Sequence, residues 1–257
     1  MESKTVSVRG VTISYLEEGS GTQDVLYIHG NTGCNLWFEK VMSQEGCRVI
    51  APDMPNFGES DHIDTADIDL YAEYMADFCS ALGLDKPMVV GHSLGGGVAM
   101  SLAVHHPACV GSLMLVDSCA PGGLHTPEEH YAAIALFRTN RDVLLQGLAA
   151  TMPALNEPEF LDRLVDAGMK MNGIAFEGNA RALDAFSVEG ETSSFTGPVL
   201  VVHGARDIII TNDMAQETAN AFPDGTAVFL EDVGHSVMVE DPDTFTRLLQ
   251  EFRTRII

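Results

Sequence analysis

A serine between two glycines is the part of the sequence best suited to chemistry. Residues 91–95 read GHSLG, after the apolar run 88–90 and before apolar residues at helical spacing. A serine at such a strand-to-helix turn projects its hydroxyl beside the free N–H groups of the helix N-terminus, which favour an oxyanion. Gly91 and Gly95 avoid side-chain clashes in the tight turn. The pattern predicts Ser93 as a nucleophile, with an ordinary glycine-rich turn as the alternative.

A serine hydroxyl needs a base to take its proton and a third group to orient that base. Asp207 follows a predicted strand, at the edge where parallel sheets build their sites, and His235 lies between the last strand and the last helix. Serine, acid and histidine in this order are expected when the nucleophile lies on such a turn. We predict His235 as general base and Asp207 as orienting carboxylate. Asp117, also at a strand end, is the alternative acid.

Three other histidines near these motifs are expected to have structural roles. His92 adjoins the nucleophile but points elsewhere on so tight a turn, His203 lies within a strand, and His29 braces a neighbouring loop. None of the nine histidines has the His-x-x-x-His spacing of a helical metal site. We therefore expect no metal site.

Strand and helix patterns alternate through the first 117 residues. Residues 5–17 alternate around Arg9-Gly10 as in a hairpin, and the continuous apolar runs 25–28 and 113–116 suit strands that are buried on both faces. Alternating strands and helices predict an α/β fold, with a mostly parallel sheet flanked by helices.

The pattern changes after residue 117. Four helical segments follow without a convincing strand, at residues 128–137, 141–150, 159–171 and 179–186. Strand patterns then return, and residues 242–256 are predicted to form a closing amphipathic helix. We predict a core of residues 1–117 and 196–257, with a helical cap of residues 118–195 inserted after the sixth strand.

Charge and cysteine content restrict the partners and the compartment. Lys plus Arg number 14 against 37 Asp plus Glu, and the net charge of −23 disfavours nucleic acid and anionic membranes, which bind cationic surfaces. The same charge favours a neutral small-molecule substrate. The five cysteines are scattered and odd in number, as is typical of reduced thiols. Because no apolar leader or spanning segment is evident, we expect a cytoplasmic location.

Together the motifs resemble those of the α/β-hydrolase superfamily over essentially the whole chain. They are HGN at residues 29–31, DMPNFGES at 53–60, GHSLG at 91–95, GARD at 204–207 and GH at 234–235. The closest likeness is to capped esterases and lactonases, including those that act on acyl-homoserine lactones. The resemblance implies an oxyanion hole formed by the backbone N–H groups of Asn31 and Leu94, and no cofactor. Asn56 departs from it, because many relatives have glycine there.

These observations predict a serine hydrolase that cleaves small or medium acyl esters through an acyl-enzyme. The alternatives are a lactonase, a hydrolase of the carbon–carbon bond in a β-diketone-like acid, a peptide or amide hydrolase, and a receptor that keeps the triad but turns over slowly. Seven large apolar residues of the cap either line an acyl pocket or only pack within the cap: Leu136, Phe137, Met152, Leu155, Met169, Met171 and Phe186.

Overall fold

A computed structural model describes residues 1–255 as one eight-stranded sheet with helices on both faces. The strands are β1 (Glu2–Val8), β2 (Val11–Glu18), β3 (Gln23–Ile28), β4 (Cys47–Pro52), β5 (Met88–His92), β6 (Ser112–Val116), β7 (Val199–Gly204) and β8 (Gly225–Leu230). Their order across the sheet is β1-β2-β4-β3-β5-β6-β7-β8. β2 pairs antiparallel with β1 and β4, and all the other neighbouring pairs are parallel.

The parallel strands bring all the predicted site residues to one edge of the sheet. The site residues follow β3, β5, β7 and β8, the alternative acid Asp117 follows β6, and parallel strands end at the same edge. Five stretches that are far apart in sequence therefore converge there, and the sheet itself positions the site.

The part of the chain that the structure describes contains nine α-helices. They are α1 (Ile68–Leu82), α2 (Leu94–His105), α3 (Glu128–Phe137), α4 (Arg141–Thr151), α5 (Pro158–Gly168), α6 (Ala175–Ala185), α7 (Asn212–Ala221), α8 (Val237–Glu240) and α9 (Pro242–Arg255). Short 3-10 helices span Asn35–Val41, Pro107–Cys109 and Thr192–Ser194. No helix within residues 1–255 is both long enough and apolar enough to span a bilayer.

The apolar core has two layers, one on each face of the sheet. Consecutive strand residues alternate between them: Val89 and Leu115 pack with α1 and α2, whereas Val90 and Val116 pack with α9 and the 3-10 helix Asn35–Val41. This alternation explains why the central strands read as continuous apolar runs, since both of their faces are buried.

The architecture confirms the predicted α/β fold, with helices inserted after the sixth strand. The helix α3 has its predicted bounds, but α5 ends at Gly168 rather than residue 171, and α6 begins at Ala175 rather than 179. The sequence interpretation missed α7 altogether. The predicted end of the closing helix, Ile256, lies outside the described residues. Residues 118–195, between β6 and β7, are referred to below as the cap segment.

Candidate active site

Ser93 sits at the apex of a strained turn between β5 and α2. Its φ of 54° lies in the left-handed region, which is costly for a residue with a side chain. A Cβ atom on Gly91 would collide with the carbonyl oxygen of Gly95, and a Cβ on Gly95 with that of Ile28. The two glycines are therefore required by close packing of the turn, as the sequence interpretation proposed.

The structure brings the three predicted triad residues into one hydrogen-bonded chain. Nε2 of His235 lies 2.9 Å from Oγ of Ser93, and its Nδ1 lies 2.7 Å from Oδ2 of Asp207. The other oxygen of Asp207, Oδ1, accepts the backbone N–H groups of Ile209 and Ile210 at 2.7 and 3.2 Å. These bonds fix the carboxylate, which in turn can hold the imidazole with its Nε2 facing the serine.

The surroundings of His235 have opposing effects on its pKa. Burial disfavours the charged imidazolium, but the hydrogen bond from Nδ1 to Asp207 and the charge of that carboxylate outweigh burial. The pKa of His235 is therefore raised above its usual value. A more basic imidazole is better suited to accept the proton of a serine hydroxyl.

The alternative acid, Asp117, does not contact His235. Its Oδ1 accepts the N–H of Gly204 at 2.8 Å and lies 3.1 Å from Nδ1 of His203, within a fully buried pair. Burial raises the pKa of this carboxyl group, although the close approach of His203 opposes the rise. Donor atoms of Asp117, His203 and Asp207 lie within 4.8 Å of one another, but each carboxylate already accepts hydrogen bonds from the protein.

The two predicted oxyanion donors lie near Ser93: Leu94 follows it in the sequence, and Asn31 lines the same cavity as the serine. Within residues 1–255 the backbone N–H groups of Asn31 and Leu94 donate to no other protein atom. The loop that carries Asn31 can approach the serine because residue 30 is glycine: a Cβ there would lie 2.9 Å from that of Ser93. Two fixed N–H donors that lack a partner beside a nucleophile can stabilise an oxyanion.

His29 braces this loop as expected. Its Nδ1 donates to the carbonyl of Gly30 at 2.9 Å, and its Nε2 accepts the N–H of Met54 at 3.1 Å. Burial lowers the pKa of His29 to about 4, so the ring is neutral and can make both bonds at neutral pH.

Sequence reasoning missed a glutamate that holds the His235 loop. The Glu240 carboxylate accepts the N–H groups of Gly234 at 3.0 Å and Ser236 at 3.1 Å, the two residues that flank His235. It also accepts the N–H of Ala154, in the cap segment, at 2.9 Å. Glu240 ends the short helix α8, five positions after the histidine, and no sequence motif marks it.

His92 also holds the loop that carries His235. Its Nε2 donates to the carbonyl of His235 at 2.8 Å, and its ring stacks on Trp37 with centroids 5.5 Å apart. Burial, and to a smaller extent the nearby His235, lowers the pKa of His92 well below its usual value. The ring is therefore a neutral structural donor, in agreement with the sequence interpretation that it is not a base.

A mostly apolar cavity of about 330 Å³ opens onto Ser93 and His235. The large apolar side chains that line it are Trp37, Phe137, Leu144, Leu148, Ile208 and Ile209. No lysine or arginine lines the cavity in the part of the chain that the structure describes. Of the seven cap residues considered from sequence, Phe137 alone lines it, while Met152, Met171 and Phe186 pack in the core and Leu136 is exposed.

Two characterised relatives are similar over most of their length. Lipase 1 of Psychrobacter immobilis is 28% identical over 272 residues, which cover 99% of this chain and 84% of the lipase. The 2-hydroxymuconate semialdehyde hydrolase of Pseudomonas putida is 27% identical over 220 residues, which cover 82% of this chain and 78% of that enzyme.

Among solved structures, Est816, described as an N-acyl homoserine lactone degrading enzyme, superposes with a TM-score of 0.82. It is 26% identical, and the match covers 97% of this chain and 100% of Est816. Residues 25–248, which include every residue of the hydrogen-bonded chain at Ser93, match the alpha/beta hydrolase family. This protein therefore belongs to the alpha/beta hydrolase family.

Proposed function

We propose that the protein hydrolyses neutral carboxylic esters of small or medium acyl chain length. The observation that carries the proposal is the chain from Ser93 through His235 to Asp207, at 2.9 and 2.7 Å, opening into an apolar cavity of about 330 Å³. Such a chain activates a serine for acyl transfer, and an apolar cavity accommodates an uncharged acyl group.

In the first half-reaction the Ser93 oxygen attacks the ester carbonyl while His235 Nε2 takes the hydroxyl proton. The carbonyl oxygen becomes an oxyanion, which accepts the N–H groups of Asn31 and Leu94. The bond to the leaving alcohol then breaks, and His235 returns its proton to that alcohol. The product is an ester of Ser93 with the acyl group.

In the second half-reaction water takes the place of the alcohol. His235 accepts a proton from water as the water oxygen attacks the acyl carbonyl, and the same N–H groups hold the second oxyanion. The bond to Ser93 breaks, the serine oxygen regains a proton from His235, and the carboxylic acid leaves. Asp207 keeps the imidazole oriented through both halves.

The positions of the cationic side chains in the cap segment support a neutral substrate. Arg141 pairs with Asp162 and Asp166, Arg163 with Glu39 at 2.5 Å, and Lys170 with Glu59. None of these cations lines the cavity. A substrate carboxylate inside the cavity would therefore lose its hydration without gaining a cationic partner, which is costly.

The names of two relatives support ester chemistry. Lipase 1 is named for ester hydrolysis, and Est816 acts on a lactone, which is a cyclic ester. A lactone is accordingly the second substrate class, since it needs the same serine attack. The cavity supports the carbon–carbon bond alternative least, because its β-diketone-like substrate is an acid and no lysine or arginine of the described residues lines the cavity.

The test is hydrolysis of a panel of p-nitrophenyl esters with short and long acyl chains, together with simple and acylated lactones. The wild type is compared with Ser93→Ala and with Ser101→Ala, a buried serine of α2 whose hydroxyl donates to Asp69 away from the site. We expect turnover of the neutral esters, its loss in Ser93→Ala, and its retention in Ser101→Ala.

Three results would contradict the proposal. A stoichiometric burst without steady turnover would indicate a receptor, and exclusive turnover of lactones would replace esters with the second class. A folded protein inactive on the whole panel would leave carbon–carbon bond substrates as the class to examine. Equal losses in both serine variants would place the cause in stability rather than in the nucleophile.

A further inference from the structure

A buried chain of amide and hydroxyl groups connects the cap segment to the loop that carries Asn31. The side-chain Oδ1 of Asn31 accepts two hydrogen bonds: one from the backbone N–H of Thr32 at 3.0 Å, and one from Nδ2 of Asn179 at 2.9 Å. Asn179 lies on α6 and is fully buried. The second bond thus joins a cap helix to the residue whose N–H group faces the reacting carbonyl in the proposed mechanism.

The orientation of the Asn179 amide is set from its other end. Tyr71, on α1, donates its hydroxyl to Oδ1 of Asn179 at 3.0 Å, and the same hydroxyl accepts Nδ2 of Asn56 at 3.2 Å. Tyr71 and Asn56 are also fully buried. Because Oδ1 of Asn179 is the acceptor for tyrosine, its Nδ2 has to face Asn31. Each polar group in the chain therefore has a defined direction.

We infer that Asn179 is a positioning residue, which holds the Asn31 N–H group in place for the oxyanion and so couples the cap segment to the chemical step. The inference rests on the proposed function, since it assumes a reaction that forms an oxyanion. Oxyanion stabilisation depends on donors that are fixed before the reaction begins. Asn31 lies in a short loop where Thr32 has a φ of 54°, and the bond from Asn179 restrains that strained loop from the outside.

The protein also offers a matched control, because a second asparagine of the cap segment contacts the core without touching Asn31. Nδ2 of Asn172 donates to Oδ1 of Asn56 at 2.9 Å, and its backbone N–H donates to the Asn56 carbonyl at 2.8 Å. Asn56 also donates to Tyr71, but its Oδ1 accepts the N–H of Ile63 at 2.8 Å independently of Asn172. We therefore expect loss of the Asn172 side chain to weaken attachment of the cap to the core and to leave the Asn31–Asn179 bond in place. A purely structural role would make the two asparagines equivalent.

The experiment compares Asn179→Asp with Asn172→Asp on p-nitrophenyl butyrate. An ionised carboxylate at position 179 still accepts the Tyr71 hydroxyl but donates nothing to Asn31. Because burial raises the pKa of a carboxyl group, the rates are compared at about pH 9, where the ionised form is favoured. We expect kcat of Asn179→Asp to fall about ten- to a hundredfold, less than the 10²–10³ typical of deleting a donor, with KM changed by less than about threefold. Asn172→Asp should keep kcat within about threefold of wild type, on the same basis.

A double-mutant cycle tests the coupling to Asn31 directly. Asn31→Ala keeps its backbone N–H but loses the side chain that Asn179 holds. If Asn179 acts through its hydrogen bond to Asn31, the double variant Asn31→Ala/Asn179→Asp is no slower than the slower single variant. Thermal melting of each variant separates loss of fold from loss of rate. If Asn179→Asp fails to fold, the cycle is run with Tyr71→Phe, which removes the hydroxyl that orients the amide.

The outcomes distinguish this inference from the proposed function. An active wild type with equal kcat in wild type and Asn179→Asp, or with additive losses in the cycle, would overturn the inference alone. If the wild type hydrolyses no ester, the proposed function fails, and the inference is then tested by the rate at which a fluorophosphonate labels Ser93, because its phosphoryl oxygen faces the same N–H groups. Equal labelling rates in wild type and Asn179→Asp, or no labelling, would overturn it.

Discussion

Two buried aspartates follow neighbouring strands, and His235 bonds to only one of them. Both positions suit an orienting acid on sequence grounds, and the structure separates them by their partners: Asp207 accepts from His235, whereas Asp117 accepts from Gly204 and faces His203. The carboxylates therefore have different expected effects on the reaction, despite their proximity.

We predict that Asp207→Asn lowers kcat/KM about 10³- to 10⁴-fold, because the imidazole loses the acceptor that sets its tautomer. Asp117→Asn, the matched change, should cost less than about tenfold, since it leaves the His235 bond intact. Steady-state hydrolysis of one p-nitrophenyl ester by both variants provides the measurement. Equal losses would mean that the two acids act as a unit.

The raised pKa of His235 predicts the acid side of the pH–rate profile. The base must be neutral to take the serine proton, so kcat/KM should rise with pH through the His235 pKa, with a midpoint above the usual 6.5. The residual activity of Asp207→Asn should have a lower midpoint, because the group that raises the pKa has lost its charge. A midpoint that does not move in this variant would assign the titration to another group.

Ser93, Asp207 and His235 could be predicted because each follows a recognisable strand, in a fixed order along the sequence. Glu240 and Asn179 could not, because neither acts within its own sequence motif. Asn179 is 148 positions from Asn31, and nothing in the cap pattern indicates that a buried amide there faces the sheet edge. Such contacts depend on how the cap segment packs, which periodicity does not specify.

At the scale of the elements, a buried carboxylate organises the loop after β4. Asp53 accepts the N–H of Asn35 at 2.7 Å, the first residue of a 3-10 helix, and the N–H of Glu59 at 2.9 Å. Burial raises the pKa of this carboxyl to about 6. Gly58 has a φ of 53°, and a Cβ there would collide with the Asp53 carboxylate.

We predict that Gly58→Ala destabilises the protein by more than about 2 kcal/mol, because it combines left-handed strain with that collision. Gly83→Ala is the control, since Gly83 also has a positive φ, of 64°, but open space around it. It should cost only about 1 kcal/mol, the strain alone. Urea unfolding of both variants gives the difference. If Gly58→Ala lowers the free energy of unfolding no more than Gly83→Ala does, the loop relaxes around the new methyl group.

The central strands were predicted well because they are continuous apolar runs, whereas the missed helix α7 has no apolar pattern. Helix α7 buries only Ala215, Thr218 and Ala219, so its sequence shows no apolar stripe, although Thr211 caps its first turn by accepting the N–H of Met214.

Asn56, the departure from the family pattern, has a positive φ of 80°, in the left-handed region that glycine adopts most easily. Its side chain then bonds to Tyr71 and Asn172, which glycine could not do.

At the scale of the whole molecule, the net charge of −23 combines with a cavity that no lysine or arginine of residues 1–255 lines. We predict that an ester with a free carboxylate on its acyl group reacts with a lower kcat/KM than its own methyl ester. The gap should narrow with added salt, because screening shortens the range of repulsion to about 10 Å at 0.1 M. Rates of both substrates over a salt series test this, and a gap independent of salt would assign the discrimination to the cavity alone.

The fold class was predictable because the apolar pattern of the strands depends only on burial of both sheet faces. The cavity was not, because its large apolar side chains come from four separate regions: the segment around Trp37, the end of α3 at Phe137, the helix α4, and Ile208 and Ile209 beyond the β7 strand. No local pattern indicates that these regions meet.

The pairing of β6 with β7 has a practical consequence for engineering. The cap segment leaves and rejoins the sheet at adjacent strands, so its two anchor points stay fixed whatever the insertion contains, and loop-closure entropy grows only slowly with insertion length. A cap from another hydrolase could therefore be grafted between these strands to change the substrate range. A graft that keeps the rate would have to reproduce the amide donor of Asn179, the Thr151 carbonyl that accepts the His235 N–H at 2.8 Å, and the Ala154 N–H that meets Glu240. These three contacts define the minimum interface of an exchangeable cap.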